Sequence, residues 1–289
     1  YSESRWQDAA QRFRLACAKA QDKTLAEKSY YRLGWSMFKT EDYAASEQVF
    51  SEMANNHPQG ELIFDAKTMV AECRFKRSQY QTALAGYEAA RAAIESRNET
   101  AKNVLDKSER QVRELVFLHG GQSAAQLKKW QTAIDWYNAL RKRFPSSESL
   151  PQVFYETGFA YQQLEKTAQA LQFYQEVADN YRTSAAARAR FMMGEIHFTN
   201  RDYDKAIPEF QRVMYGFGAD QAPADIKNWQ AKSGFEAARC SDLLLQEART
   251  DNARNKAKNY ATGFYQYVLE KHPNHELAAK SRDRLEKLK

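Results

Sequence analysis

The chain has 289 residues, 43% of them hydrophobic, with 43 Lys and Arg against 37 Asp and Glu and a net charge of +6. It contains no run of about 18 apolar residues, so no membrane-spanning helix is expected, and no signal-peptide pattern opens it. Eleven glycines and six prolines suit long helices on short turns, and no run of alternating β-branched residues predicts a strand.

Seven times along the chain a small residue is followed four positions later by an aromatic: Ala9/Phe13, Ser46/Phe50, Ala83/Tyr87, Ala133/Tyr137, Ala170/Tyr174, Ala206/Phe210 and Ala261/Tyr265. Successive first members lie 37, 37, 50, 37, 36 and 55 residues apart. Four gaps are one unit long and two are a unit plus an insertion, which is the pattern of a repeat array. Twelve residues before the small residue stand Gly34, Ala71, Gly121, Gly158 and Gly194; twelve after it, in three units, stand Pro58, Pro145 and Pro273. The unit therefore predicts a helical hairpin. The small residue and its aromatic share one face of the second helix, the aromatic fills the space above the glycine on the first helix, and the proline ends the second helix.

Taken in chain order, residues 1–25 form a truncated repeat whose second helix carries Trp6, Ala9 and Phe13. Because the chain opens at Tyr1 without its first helix, it is expected to be a trimmed piece of a longer array. Residues 26–95 form two regular repeats. Residues 96–218 form three repeats, the first preceded by an insertion with no Pro or Gly from Ala89 to Val116, read as extended helices with a turn near Asn98 at Arg97-Asn-Glu-Thr. Pro208 falls near the start of a second helix, and Tyr215 to Pro223 reads as a non-helical connector and hinge. Residues 219–289 form an extended hairpin, with Leu243, Leu244 and Leu245 continuing its first helix and Thr250-Asp-Asn marking the turn. Glu276 to Leu288 reads as one more amphipathic helix. Both insertions either line a binding face or pack against neighbouring hairpins.

The second unit, with Tyr30, Leu33, Gly34, Met37, Tyr43, Ser46, Phe50, Met53 and Pro58, resembles the tetratricopeptide repeat. The fifth unit matches through Gly158, Tyr161, Ala170, Tyr174 and Val177, departing at Thr167 and Arg182. The resemblance implies an all-α, right-handed superhelical solenoid of stacked antiparallel helix hairpins and a single domain over residues 1–289. Its 37-residue unit, longer than the usual repeat, is similar to those of bacterial cell-envelope scaffolds. That similarity implies a periplasm or cell envelope of a bacterium, with the cytoplasm as the alternative.

The resemblance also implies a concave groove lined by the fifth, ninth and twelfth positions of each unit. These are Tyr31, Trp35 and Phe38; Thr68, Glu72 and Phe75; Leu118, Gln122 and Ala125; Tyr155, Phe159 and Gln162; Phe191, Glu195 and Phe198. Phe38, Phe75 and Phe198 are read as core. Tyr31, Trp35, Glu72, Gln122, Tyr155, Phe159, Phe191 and Glu195 are the expected peptide-binding residues. Inner positions that are aromatic, acidic or amide argue against the basic clamp by which some members read acidic chaperone tails, and favour an extended, partly apolar segment of another protein. Oligomeric state is left open.

Nucleic-acid binding is the runner-up, on basic clusters at Lys128-Lys129, Arg141-Lys142-Arg143 and Arg74/Lys76/Arg77. The excess of basic residues is mild, and a charge cluster on a helix is usually a solvated face. Catalysis is disfavoured: there is no phosphate-binding loop, Cys-x-x-Cys or His-Glu-x-x-His, and His119-Gly-Gly has no Gly-x-Ser-x-Gly beside it. His272 and His275 are too few to make a metal site, so no metal or cofactor is expected. His57 and His272, each before a proline, are read as partners of the last helix carbonyls. Cys17, Cys73 and Cys240 are read as free thiols next to packing positions.

Overall fold

The computed structural model describes residues 3–96 and 107–288, which are all-α; no strand occurs among them. They divide into two compact units, Tyr1–Ser147 and Glu148–Lys289. The turn expected near Asn98 lies outside the described residues.

The first unit holds α1 (Glu3–Lys19), α2 (Lys23–Lys39), α3 (Tyr43–Asn56), α4 (Ile63–Lys76), α5 (Tyr80–Ser96), α6 (Lys107–Gln126) and α7 (Trp130–Arg143). Three hairpins, α2/α3, α4/α5 and α6/α7, stack in chain order on α1, so that α1 packs on α2, α3 on α4 and α5 on α6. The second unit holds α8 (Leu150–Gln163), α9 (Thr167–Asn180), α10 (Ser184–Thr199), α11 (Tyr203–Tyr215), α12 (Ala224–Glu247), α13 (Asp251–Lys271) and α14 (Leu277–Lys287). Hairpins α8/α9, α10/α11 and α12/α13 stack, and α14 docks on α12 and α13. A 3-10 turn, Ala219–Gln221, interrupts the connector before α12.

The small-then-aromatic pairs are the core of each hairpin. Ser46, Ala83, Ala133, Ala170, Ala206 and Ala261 are fully buried, as are Phe50, Tyr87, Tyr137, Tyr174, Phe210 and Tyr265. The ring lies on the first-helix glycine: a Cβ placed on Gly34 would come 2.7 Å from Phe50, and one on Gly158 2.7 Å from Tyr174. Gly121 and Gly194 meet Tyr137 and Phe210 the same way. Where the first helix carries Ala71, the relief comes from the other side, because Gly86 on α5 faces the Ala71 methyl. Proline acts as its position suggests: α3, α7 and α13 each stop two residues before Pro58, Pro145 or Pro273. The turns of the first five hairpins are each closed by a residue in the left-handed region (Glu41, Ser78, Lys128, Glu165 and Arg201), none of them glycine.

Polar contacts join the hairpins. In the first unit Ser46 Oγ donates to the Gly34 carbonyl (2.9 Å) and accepts from Cys73 Sγ (3.3 Å) on the next hairpin. In the second, buried Arg190 on α10 pairs with Asp179 on α9 and with Glu209 on α11 (3.0 Å). Asp242 on α12 accepts from Tyr265 (2.8 Å) and from Arg284 (3.1 Å), which ties α14 to the stack. Removing one member of the buried Arg190–Glu209 pair leaves an uncompensated charge and costs about 3–5 kcal/mol.

The last hairpin departs from the repeat. In the five others the first helix ends five residues after its glycine or alanine, at Lys39, Lys76, Gln126, Gln163 and Thr199, whereas α12 runs thirteen past Gly234 to Glu247. Thr250 caps α13, accepting from the Ala253 N–H (3.2 Å). Gly234 meets Tyr267 and Val268 rather than Tyr265, so its register is not that of the other glycines.

Candidate peptide-binding faces

The first helices of successive hairpins lie side by side, α4 next to α6 in the first unit and α8, α10 and α12 in the second. Residues spaced three or four apart on each helix therefore form one face.

In the first unit, Tyr31 and Trp35 on α2 are half-buried and meet edge to face, with ring centroids 6.3 Å apart. Trp35 also meets Phe38 (5.5 Å) and lies under the Lys39 ammonium (5.7 Å). This cluster has aromatic surface to offer. Its neighbour on α4 does not. Glu72 is only 2% exposed, accepts a short hydrogen bond from the Tyr87 hydroxyl, and pairs with His119 Nδ1 on α6 (2.8 Å). The His119 ring stacks on Phe75 at 4.5 Å, nearly parallel. Glu72 is thus a buried link between two hairpins rather than a groove residue, because the Tyr87 hydroxyl and the imidazole use its oxygens. Thr68 is buried, and Gln122 is half-buried on α6.

In the second unit, Tyr155 and Phe159 on α8 stack with centroids 6.4 Å apart. Tyr155 is 5% exposed and packs on Tyr174, so it too belongs to the core; burial pushes its hydroxyl up to about 12. Phe159 and, on α10, Phe191 are half-buried. Phe191 meets Phe210 (5.4 Å) and Trp229 of α12 (5.3 Å). The Arg188 guanidinium lies 4.5 Å from the Tyr155 ring and 5.4 Å from Trp229, and Lys232 lies 4.8 Å from Trp229. One chain of contacts, Phe159–Tyr155–Arg188–Trp229–Phe191, thus crosses α8, α10 and α12. Each cation over a ring contributes about 0.5–1 kcal/mol where exposed.

One turn below Phe191, Glu195 is half-buried, and its Oε1 is enclosed without a hydrogen-bond partner. Desolvation, with the neighbouring Glu236 adding repulsion, pushes its carboxyl up to about 7. Glu236 is also raised by burial and pairs with Arg239 (2.6 Å), whose guanidinium lies 4.8 Å from Phe198.

Arg188, Trp229, Lys232, Glu236 and Arg239 were not among the residues expected from sequence. Trp229, Lys232, Glu236 and Arg239 do recur at helical spacing, but the repeat register was lost in the extended hairpin, so nothing aligned them with the other units. Phe38, Phe75 and Phe198 are half-buried and close the hairpin turns, each edge-on to the first aromatic of the second helix: Tyr43 (5.1 Å), Tyr80 (5.7 Å) and Tyr203 (5.7 Å).

His57 and His272 do meet the last helix carbonyls, but through the backbone: their N–H groups donate to the Met53 and Val268 carbonyls (2.9 and 3.0 Å), while the His57 ring lies against Tyr30 (6.0 Å) and His272 Nε2 faces the Tyr267 hydroxyl (3.4 Å). His275 Nε2 turns to Asn228 (3.0 Å). No cluster of three or more His, Cys, Asp or Glu that could hold a metal ion occurs among the described residues. Cys73 and Cys240 are buried free thiols and Cys17 is half-buried. In one basic cluster Arg74 and Arg77 are both taken up by Glu47 (2.8 and 2.7 Å). No described helix is long and apolar enough to cross a membrane.

Stacked antiparallel hairpins with a ring seated on a small residue define a helical-repeat protein. Family models described as "Tetratricopeptide repeat" match residues 28–60 and 155–225, so these two segments are similar to tetratricopeptide repeats. Solved structures share the fold at low identity. The C-terminal part of a TPR repeat-containing protein from Cytophaga hutchinsonii is 15% identical, with 96% of this chain and 94% of that one covered and a TM-score of 0.61. A tetratricopeptide repeat protein from Parabacteroides merdae is 14% identical over 91% and 98%, at a TM-score of 0.54. Pseudomonas aeruginosa pilF is 14% identical over 91% and 99%, at 0.53. No curated protein matches the chain in sequence.

Proposed function

We propose that the protein is an interaction scaffold whose first-helix faces hold an extended, partly apolar segment of a partner protein, with the second unit carrying the principal face. The observation that carries this reading is the contact chain from Phe159 through Arg188 and Trp229 to Phe191, bordered by Glu195 with its unpartnered oxygen. Half-buried aromatics supply apolar area with little entropy left to lose, and buried aromatic anchors dominate interface energies. The half-buried Glu195 and Glu236 favour a basic side chain next to the apolar ones. Ordering an unstructured segment offsets part of the contact energy, so micromolar affinity, about −8 kcal/mol, is expected. In the first unit, Tyr31 and Trp35 form a smaller face of the same kind.

The test is selection of peptides from a random display library, followed by anisotropy measurements on the selected sequences. Trp229→Ala with Phe159→Ala should weaken the selected peptides about 30-fold or more, measured at a temperature where parent and variant are both folded by circular dichroism. Peptides held equally by parent and variant would move the site elsewhere. The finer reading, a role in assembly at a bacterial cell envelope, is supported by the resemblance of the 37-residue unit. Cell fractionation with an antibody to the protein tests it, and recovery in the cytosol alone would sink it.

A further inference from the structure

The two extra turns of α12 create a surface away from the first-helix faces. Alongside α11 and α13, and floored by Leu244 and Ala248 near the end of α12, lies a trough of about 640 Å³. Its α11 wall is Asp204, Ile207, Pro208 and Gln211; its α13 wall is Ala253, Lys256, Ala257 and Tyr260. Both walls are spaced three or four residues apart over two helical turns, about 10 Å of helix. The loop Glu247–Thr250 closes one end. Tyr260 is 47% exposed, one of four large hydrophobics so exposed among the described residues.

The walls determine what form an occupant takes. They are helices whose backbone groups already bond to one another, and between them Ile207, Leu244, Ala248 and Ala257 offer no partner to the N–H and C=O groups of an extended segment, unlike the first-helix faces, where Arg188, Lys232, Glu195 and Glu236 lie among the aromatics. A helix brings its own backbone satisfied, and packs in a groove between helices at about 8–10 Å. The rim charges set its flanks: Asp204 on the α11 side, and Lys256, 5.8 Å from the Tyr260 ring, on the α13 side. Asp204, Glu247 and Arg249 make no ion pair among the described residues.

We propose that this trough docks an amphipathic helix of a partner protein. Two turns of that helix lay an i, i+3/i+4, i+7 apolar edge against Ile207, Leu244 and Tyr260, with a basic residue toward Asp204 and an acidic one toward Lys256. Such a site lies apart from the aromatic faces of the first helices, so the protein engages two partner segments of different conformation at once.

A synthetic helical peptide with leucines on one edge, lysines on one flank and glutamates on the other serves as the probe. Anisotropy should show binding in the micromolar to sub-millimolar range. Ala253→Trp, which fills the trough from an exposed position, should weaken it tenfold or more with an unchanged melting curve. The double reversal Asp204→Lys with Lys256→Glu should shift preference to a peptide with its flanks exchanged. Binding unaffected by Ala253→Trp, indifference to flank charge, or no binding at about 1 mM overturns the proposal. Self-association abolished by Ala253→Trp but not competed by the peptide would identify a second copy of the chain as the occupant and overturn it too. So would uptake of a detergent monomer without peptide binding. Loss of the trough leaves peptide capture at Phe159 and Trp229 intact, so the two readings fail separately.

Discussion

In one repeat of each unit the ninth position is a glutamate, and the two glutamates have opposite fates. Glu72 in the first unit is sealed between the Tyr87 hydroxyl and His119. Glu195 in the second keeps an oxygen without a partner and holds its proton up to about pH 7. The difference begins four residues after the small residue of the second helix, where Tyr87 carries a hydroxyl and Phe210 does not. It is completed by the next first helix, which brings an imidazole to Glu72 but a second carboxylate, Glu236, to Glu195. A ring hydroxyl and an imidazole thus separate a sealed structural link from a carboxyl whose enclosed oxygen has no partner.

What the two units share is broken first, with the largest effect. Tyr87→Ala or Phe210→Ala empties a fully buried ring site in its unit and should cost about 3–5 kcal/mol in equilibrium unfolding. Tyr87→Phe keeps the ring and removes only the hydroxyl donor to Glu72, so about 1–3 kcal/mol is expected. A value near zero would mean His119 satisfies the carboxylate alone. Phe210→Tyr makes the second unit like the first: its hydroxyl should donate to Glu195 and bring that carboxyl down from about 7 toward the ordinary carboxylate range, read by carbon NMR titration.

The pH dependence follows with a definite sign. A folded-state pKa above the unfolded value means the folded state binds more protons, so stability is greatest in acid and declines as pH rises from the ordinary carboxylate range through about 7. Glu195→Gln should therefore raise the melting temperature at pH 8 relative to the parent more than at pH 5. An equal shift at both would sink the assignment. The smallest effect belongs to the hairpin turns common to both units. Ser78→Gly or Glu165→Gly relieves a left-handed residue and should change stability by no more than about 1 kcal/mol, in the stabilising direction.

Particular elements show how far the chain could be read without coordinates. The hairpins, their proline stops and the rings seated on Gly34, Gly121, Gly158 and Gly194 were all legible, because each depends on spacing within one or two helices. The extension of α12 past Leu243 and the cap at Thr250 were legible for the same reason. The site was legible only in part. Tyr155 and Glu72 were expected to face a partner and are buried, and Arg188, Trp229 and Lys232 were not expected. Whether a first-helix residue is open depends on what the neighbouring hairpin places over it, and no spacing rule carries that information.

Sequence alone determined a stack of helical hairpins with a small-then-aromatic pair at the heart of each, since helical periodicity and close packing of a ring on glycine are local consequences of residue type. Tertiary structure alone decided which inner side chains remain available. That depends on desolvation and on partners from helices distant in sequence, such as His119 reaching Glu72 across 47 residues. It also decided that two surplus turns of α12 open a trough instead of filling the core.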